Sequence, residues 1–196
     1  MNKRDLPVHA ARLLLAAGLL AAGPAAHALT LVSTQPGGND LAVVLDGSRI
    51  GIDLSLRTAG SASFQLSLEA ADVGQWLPFN AVIAVAPGQA LQALRVSLQG
   101  AAFAYVGTVT PAFGALAGID GDDTRQTLRF QPAEAFGVDL GAPFAQAGTQ
   151  DWLLAPASGL QAGDRFTVTI SAVPEPATAA LMLAGLGVAA WAARRR

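Results

Sequence analysis

Alternation of apolar and polar side chains between residues 29 and 172 restricts the fold of this chain more than any other sequence feature. Five segments follow a period of two, so that their apolar residues share one face: 49–57, 63–69, 94–99, 127–131 and 165–171. That period is typical of a β-strand with one buried and one solvated face. Strands of this kind pair in antiparallel sheets. The five segments therefore predict an all-β domain.

Less regular strands and short turns complete this prediction. Further strands are expected at 29–33, 41–45, 81–85, 103–109 and 135–140, with turns rich in Gly, Pro and Asp at 36–40, 46–48, 59–61, 87–88 and 162–164. The chain contains no cysteine, so packing alone must hold the domain together. Nine or ten short strands predict an antiparallel two-sheet sandwich over residues 29–172, wired as a jelly roll or Greek key.

The residue types missing from this domain exclude most catalytic chemistry. The two histidines are His9 and His27 and the single lysine is Lys3, so residues 29–172 contain no His, Lys or Cys. Ser-His-Asp triads, Cys-His pairs, Ser-Lys dyads, Schiff-base lysines and the usual zinc sites are therefore excluded. Acidic residues outnumber arginines in the domain, which makes nucleic acid a poor partner. We expect neither an enzyme nor a bound cofactor.

Carboxylates provide the candidate sites that remain. Asp120, Asp122 and Asp123 form an acidic segment that suits either a calcium ion or a solvated turn, although it departs from the EF-hand pattern. A glycosidase would need two carboxylates about 5–9.5 Å apart, and Asp120, Glu134, Asp139 and Asp151 are its possible members.

Two tryptophans are candidates for stacking against a sugar ring. Trp76 stands beside Leu77, and Trp152 stands beside Leu153 and Leu154. These neighbourhoods favour core or edge packing for both indoles over a sugar-binding platform.

The first 28 residues have the pattern of a signal peptide. Lys3 and Arg4 give a positive start, residues 13–22 are apolar, and Ala26 and Ala28 form a small-x-small site for signal peptidase. Cleavage is expected after Ala28. An uncleaved anchor is the alternative, but the apolar run is short for a permanent membrane span.

The carboxyl end combines three features in a fixed order. Val173, Pro174, Glu175 and Pro176 come first, an uncharged tract follows at 177–193, and Arg194, Arg195 and Arg196 end the chain. The tract would be about 25 Å long as a helix, which is near the lower limit for crossing a bilayer. The prolines predict a non-helical hinge at 173–176, and the arginines favour the cytoplasmic side. A buried core helix is the alternative, but it does not explain three terminal arginines.

This arrangement resembles the PEP-CTERM sorting signal of Gram-negative bacterial surface proteins, over residues 173–196 alone. The resemblance implies processing by an exosortase, a membrane-embedded protease, of a precursor anchored in the inner membrane and facing the periplasm. The product would then reach the cell surface or the extracellular matrix, where such proteins accompany exopolysaccharide and biofilm. The alternative is a carbohydrate- or calcium-dependent binding module on the same sandwich, and a glycoside hydrolase ranks third.

Overall fold

The computed structural model describes residues 29–173. The predicted signal peptide with Ala26 and Ala28, the motif residues Pro174, Glu175 and Pro176, the membrane helix predicted at 177–193 and the arginines at 194–196 lie outside the described residues. Residues 29–173 form strands, turns and loops, and this part of the chain contains no helix that could cross a membrane.

Thirteen strands make up the described part of the chain. In order they are β1 (Thr30–Gln35), β2 (Asp40–Asp46), β3 (Arg49–Leu56), β4 (Ser61–Ser67), β5 (Leu77–Val85), β6 (Leu91–Gln99), β7 (Ala101–Tyr105), β8 (Val109–Pro111), β9 (Leu116–Gly121), β10 (Arg125–Glu134), β11 (Gly137–Leu140), β12 (Trp152–Pro156) and β13 (Arg165–Val173). Sheet A has the order β1-β4-β13-β6-β10-β9. Sheet B has the order β2-β3-β5-β11-β8, with β12 paired to β5 and β7 paired to β12.

The five regular segments of the sequence are all strands, namely β3, β4, β6, β10 and β13. Their alternation is seen directly in burial. Ile50, Ile52, Leu54 and Leu56 of β3 are each at most 3% exposed, whereas Arg49 and Asp53, on alternate positions, face solvent. The opposing layer from sheet A includes Phe64, Leu66, Phe166 and Val168. The predicted all-β architecture with a packed core between two sheets is confirmed.

Sheet B is mixed, so the expectation of purely antiparallel sheets is wrong at one pair. β3 and β5 run parallel, with Ile50 opposite Phe79 and Leu56 opposite Val85. The cause is the connection between them. The chain leaves β3, crosses to sheet A as β4, and returns to sheet B in its original direction as β5. This pair does not occur in the jelly-roll or antiparallel Greek-key wiring expected from the sequence.

Strand directions give the sandwich two different ends. β13 ends at Val173, which pairs with Ala93 of β6. We call this end the tail end; the connections 36–39, 57–60, 86–90, 112–115 and 135–136 also lie there. The opposite end, called the far end, carries the turns 47–48, 68–76, 122–124 and 157–164. Val173, which was expected to belong to the hinge, is the last residue of β13.

Candidate functional site

A shallow groove of about 300 Å³ crosses the outer face of sheet B. Its walls combine charged, amide and apolar side chains, among them Val44, Arg49, Asp53, Asn80, Val82 and Phe144. Gly51 forms part of its floor, and the missing side chain leaves room between β2 and β5. The ring of Phe144 is 62% exposed. A flat polar surface beside an exposed ring suits a ligand with both hydroxyl groups and an apolar face.

Asp151 holds one wall of this groove in place. Its Oδ1 accepts hydrogen bonds from the Ala142 backbone N–H at 2.8 Å and from Asn80 Nδ2 at 3.3 Å. Its Oδ2 forms an ion pair with the Arg49 guanidinium at 3.3 Å. These contacts fix Arg49 and the loop that carries Phe144 relative to the sheet. Asp151 therefore acts as a positioning residue for the groove.

Asp139 lies on the outer face of sheet B beside this groove. The register places it opposite Val82, and Val82 is opposite Asp53, so Val82 separates the two acids. Partial burial raises the pKa of Asp139 above its ordinary value. Asp139 therefore takes up a proton at a higher pH than an ordinary aspartate does.

Glu134 is a buried carboxylate held by four backbone N–H groups at the tail end. Oε2 accepts hydrogen bonds from Phe113 and Gly114, both at 2.8 Å. Oε1 accepts from Phe136 at 2.8 Å and from Gly137 at 3.1 Å. The side chain is fully buried, at 0% exposure. One carboxylate thus ties the β8–β9 connection to the β10–β11 connection, and we call this arrangement the Glu134 clamp.

The environment of the Glu134 clamp acts on its pKa in two directions. Burial is the largest influence and raises the pKa, because it disfavours the charged form. The hydrogen bonds from Phe136, Phe113, Gly137 and Gly114 lower it, and together they outweigh the burial, so the pKa of Glu134 lies below its ordinary value. The carboxylate is accordingly ionised and structural at neutral pH.

The two candidate tryptophans lie in opposite surroundings. Trp152 is fully buried, stands edge-on to Phe79 and Phe103 with ring centroids 6.3 and 5.5 Å away, and donates its Nε1–H to the Thr108 carbonyl at 3.2 Å. The sugar-stacking role considered for Trp152 is therefore wrong, and its core packing is confirmed. Trp76 is 65% exposed, so it lies outside the core.

The acidic segment at the far end is a hydrogen-bonded turn. Asp120 belongs to β9 and forms an ion pair with Arg129 at 3.0 Å. Asp122 Oδ1 accepts hydrogen bonds from the Thr124 hydroxyl and backbone N–H, both at 2.8 Å, and these bonds lower the pKa of Asp122. Within residues 29–173 no three acidic or histidine side chains, Asp120, Asp122 and Asp123 included, converge as a metal ion requires.

The four carboxylates considered for glycoside hydrolysis lie in three places in the structure. Asp120 is on sheet A and Glu134 is buried inside its clamp. Asp139 and Asp151 both lie along the same edge of β5, since Asp139 is opposite Val82 and Asp151 contacts Asn80. Asp151 already binds Arg49, Asn80 and the Ala142 backbone with its two oxygens. Sequence reasoning did not identify the groove or the Glu134 clamp, whose partners Phe113 and Gly114 lie 20 or more residues before the acid.

Comparison with known proteins adds information at the carboxyl end. Residues 172–196 match the family model of the PEP-CTERM protein-sorting motif, which confirms the resemblance seen in the sequence. This motif indicates a protein that is exported to the cell envelope or surface and processed by an exosortase. No curated protein and no solved structure matches the chain.

Proposed function

We propose that this protein is the precursor of a non-enzymatic surface or matrix protein, whose β-sandwich is cargo for the sorting tail. The observation that carries the proposal is the sorting motif at residues 172–196. In this proposal signal peptidase cleaves after Ala28, the apolar tract 177–193 anchors the precursor in the inner membrane, and the exosortase then processes it near Pro174–Pro176. The domain faces the periplasm before it reaches the cell surface or the extracellular matrix with its exopolysaccharide.

The fold supports a cleavage site that lies directly against the domain. Ala172 and Val173 belong both to the matched motif and to β13, where they pair with Leu94 and Ala93. No linker separates the last strand from the prolines. A protease that acts at the motif must therefore approach the tail end of the sandwich.

Processing is expected to depend on the two prolines and on the exosortase. Expressed in a host with an exosortase, the chain should lose the residues beyond the Pro-Glu-Pro region, and mass spectrometry of the mature protein measures this loss. Replacing both Pro174 and Pro176 by Ala removes the restriction on the hinge and should block processing. Pro87→Ala, at an exposed turn of the tail end, is the matched control and should be processed normally. A mature protein of the same mass in hosts with and without the exosortase contradicts the proposal.

A second candidate function, glycan binding, is supported by the groove on sheet B. Arg49, Asp53 and Asn80 offer hydrogen-bond donors and acceptors, and the exposed ring of Phe144 offers an apolar surface. A pyranose ring presents the same combination of hydroxyl groups and an apolar face. A surface or matrix protein with this groove would bind polysaccharide through sheet B.

Glycan binding is expected to weaken when the groove loses its ring. A glycan array screened with the folded domain identifies a ligand, and calorimetry then measures Kd for the variants. Phe144→Ala should weaken binding by about 3–10-fold, the worth of one aromatic contact. Phe113→Ala, a similarly exposed ring outside the groove, should leave Kd unchanged. Absence of any bound glycan, or equal effects of the two substitutions, removes this candidate.

A further inference from the structure

Two exposed phenylalanines form a pair at the tail end of the sandwich. Phe113 and Phe136 are 59% and 65% exposed, and their rings meet edge-on with centroids 5.7 Å apart. Large aromatic side chains normally avoid water, so an exposed pair in a fixed arrangement indicates a contact surface.

The Glu134 clamp fixes this pair on the domain. The backbone N–H groups of Phe113 and Phe136 each donate to the carboxylate at 2.8 Å, one to each oxygen. The two rings come from connections more than 20 residues apart in sequence, and the buried acid holds both. A pre-arranged pair loses little conformational freedom when it enters an apolar environment.

The pair lies at the end from which the sorting tail leaves. The Phe136 carbonyl accepts a hydrogen bond from the Val85 backbone N–H at 2.9 Å. Val85 and Val173 line one shallow hollow of about 70 Å³. The rings and the exit point of the tail therefore share one end of the domain.

The short connection to the apolar tract limits how far this end can move from a membrane. Val173 is the last residue of β13, and the apolar tract begins at Ala177. Four residue steps span at most about 14 Å when fully extended. The headgroup layer occupies about 5–8 Å of that distance on each side of the hydrocarbon core. A precursor anchored by residues 177–193 therefore holds its tail end against the headgroups.

The charged side chains of the domain are distributed as contact between the tail end and a membrane requires. Among the five connections of the tail end, Arg57 is the one charged side chain, and it forms an ion pair with Asp40 of β2. The far end carries the exposed carboxylates of Asp46, Glu69, Asp122, Asp123 and Asp164, beside Arg49, Arg125 and Arg165. An end whose exposed charges are limited to one ion pair can approach a bilayer with little desolvation of ions, and the acids of the far end then face away from the lipid headgroups.

We propose that the rings of Phe113 and Phe136 seat the tail end on the bilayer that receives residues 177–193, and so fix the orientation of the domain in the anchored precursor. This inference rests on the proposed membrane anchoring. The partner is the lipid surface, and the contact orients the domain without anchoring it by itself. Two rings bury less apolar surface than one acyl chain, which by itself gives only marginal reversible binding. Removal of the tail then releases the domain from the membrane.

The cysteine-free chain allows a direct test with single labels. An environment-sensitive fluorophore is placed at Ala115→Cys, on the connection of Phe113, or at Ser158→Cys in an exposed turn of the far end. The full chain is reconstituted in vesicles of phosphatidylcholine and phosphatidylglycerol that carry a headgroup spin label. Quenching of the label at position 115 should exceed that at position 158 at least about twofold, because contact residues lie within about 5–10 Å of the headgroup boundary.

The paired rings are tested in the same preparation. The double substitution Phe113→Ser and Phe136→Ser should lower the quenching at position 115 toward that at position 158, while Phe144→Ser, an equally exposed ring away from the tail end, should leave it unchanged. Equal thermal unfolding of the variants shows that the domain remains folded.

Cosedimentation with the vesicles separates two failures. A chain that does not cosediment overturns the proposed anchoring together with this inference. A chain that cosediments but leaves the label at position 115 unquenched overturns the inference alone. A fluorescence change of the label at position 115 that appears only when an exosortase is added also overturns the inference, because the rings would then contact the protease.

Discussion

Replacing Glu134 by Ala is expected to lower the free energy of unfolding by about 3–5 kcal/mol, because four backbone donors lose their acceptor in a largely buried site. In a domain of this size that loss lowers Tm by about 10 °C. Glu134→Gln should lose nearly as much. The amide keeps one acceptor oxygen, and its NH₂ group would face two of the N–H donors. Thermal and urea unfolding measure both effects.

The matched control is Glu69→Gln, since Glu69 is the other glutamate of residues 29–173 and is exposed. It accepts one exposed hydrogen bond, from the Thr30 hydroxyl at 3.1 Å. We expect a change within about 0.5 kcal/mol for this substitution. Equal losses for the two glutamine variants would contradict the clamp.

The pH dependence of unfolding provides a second readout of the clamp. The pKa of Glu134 is lower in the folded chain than in the unfolded one, so its contribution to stability is complete above about pH 4.3, the ordinary pKa of a glutamate. That contribution is lost as the pH falls through the folded pKa. The difference in unfolding free energy between the wild-type chain and Glu134→Gln should therefore shrink as the pH falls from about 7 to about 3. A difference that is independent of pH would contradict an ionised acceptor.

The parts of the fold that could be predicted are those in which each strand buries a single face. β3 and β13 satisfy this condition along most of their length, and their alternation in sequence matches their alternation in burial. β9 was missed because Gly118, Asp120 and Gly121 have the composition of a turn. β12 was missed because Trp152, Leu153 and Leu154 are consecutive apolar residues without a period of two.

Pairing direction and site geometry depend on contacts between distant segments. The parallel β3–β5 pair follows from the intervening strand lying in the other sheet, and alternation carries no information about sheet membership. The Glu134 clamp depends in the same way on Phe113 and Gly114, which lie 20 or more residues before the acid. The sorting motif could be identified from sequence because its features are consecutive along the chain.

The Glu134 clamp also connects the stability of the domain with the proposed behaviour of the precursor. A buried carboxylate adds less to stability than an apolar residue of similar size when both are well packed. Its use at the tail end is explained by what it holds, namely two loops that each expose a phenylalanine at the end of the domain where β13 ends. Loss of the clamp should therefore affect the orientation of the anchored domain as well as its unfolding.

Replacing Trp152 by Ala is expected to lower the free energy of unfolding by about 3–5 kcal/mol, because the largest fully buried side chain of the core leaves a cavity. The substitution also removes the edge-on contacts with Phe79 and Phe103 and the hydrogen bond to the Thr108 carbonyl. Trp152→Phe keeps most of the ring volume and should lose less, so it provides a folded variant if the alanine chain does not fold. Urea unfolding of each variant measures the change.

The same substitution at Trp76 is the matched control for this prediction. Its indole is 65% exposed, so Trp76→Ala should change the free energy of unfolding by no more than about 0.5 kcal/mol. The two tryptophans stand beside similar apolar residues in the sequence and differ in their burial. A loss at Trp76 as large as that at Trp152 would show that burial does not distinguish them, and the packing of β12 against β5 and β7 would then be wrong.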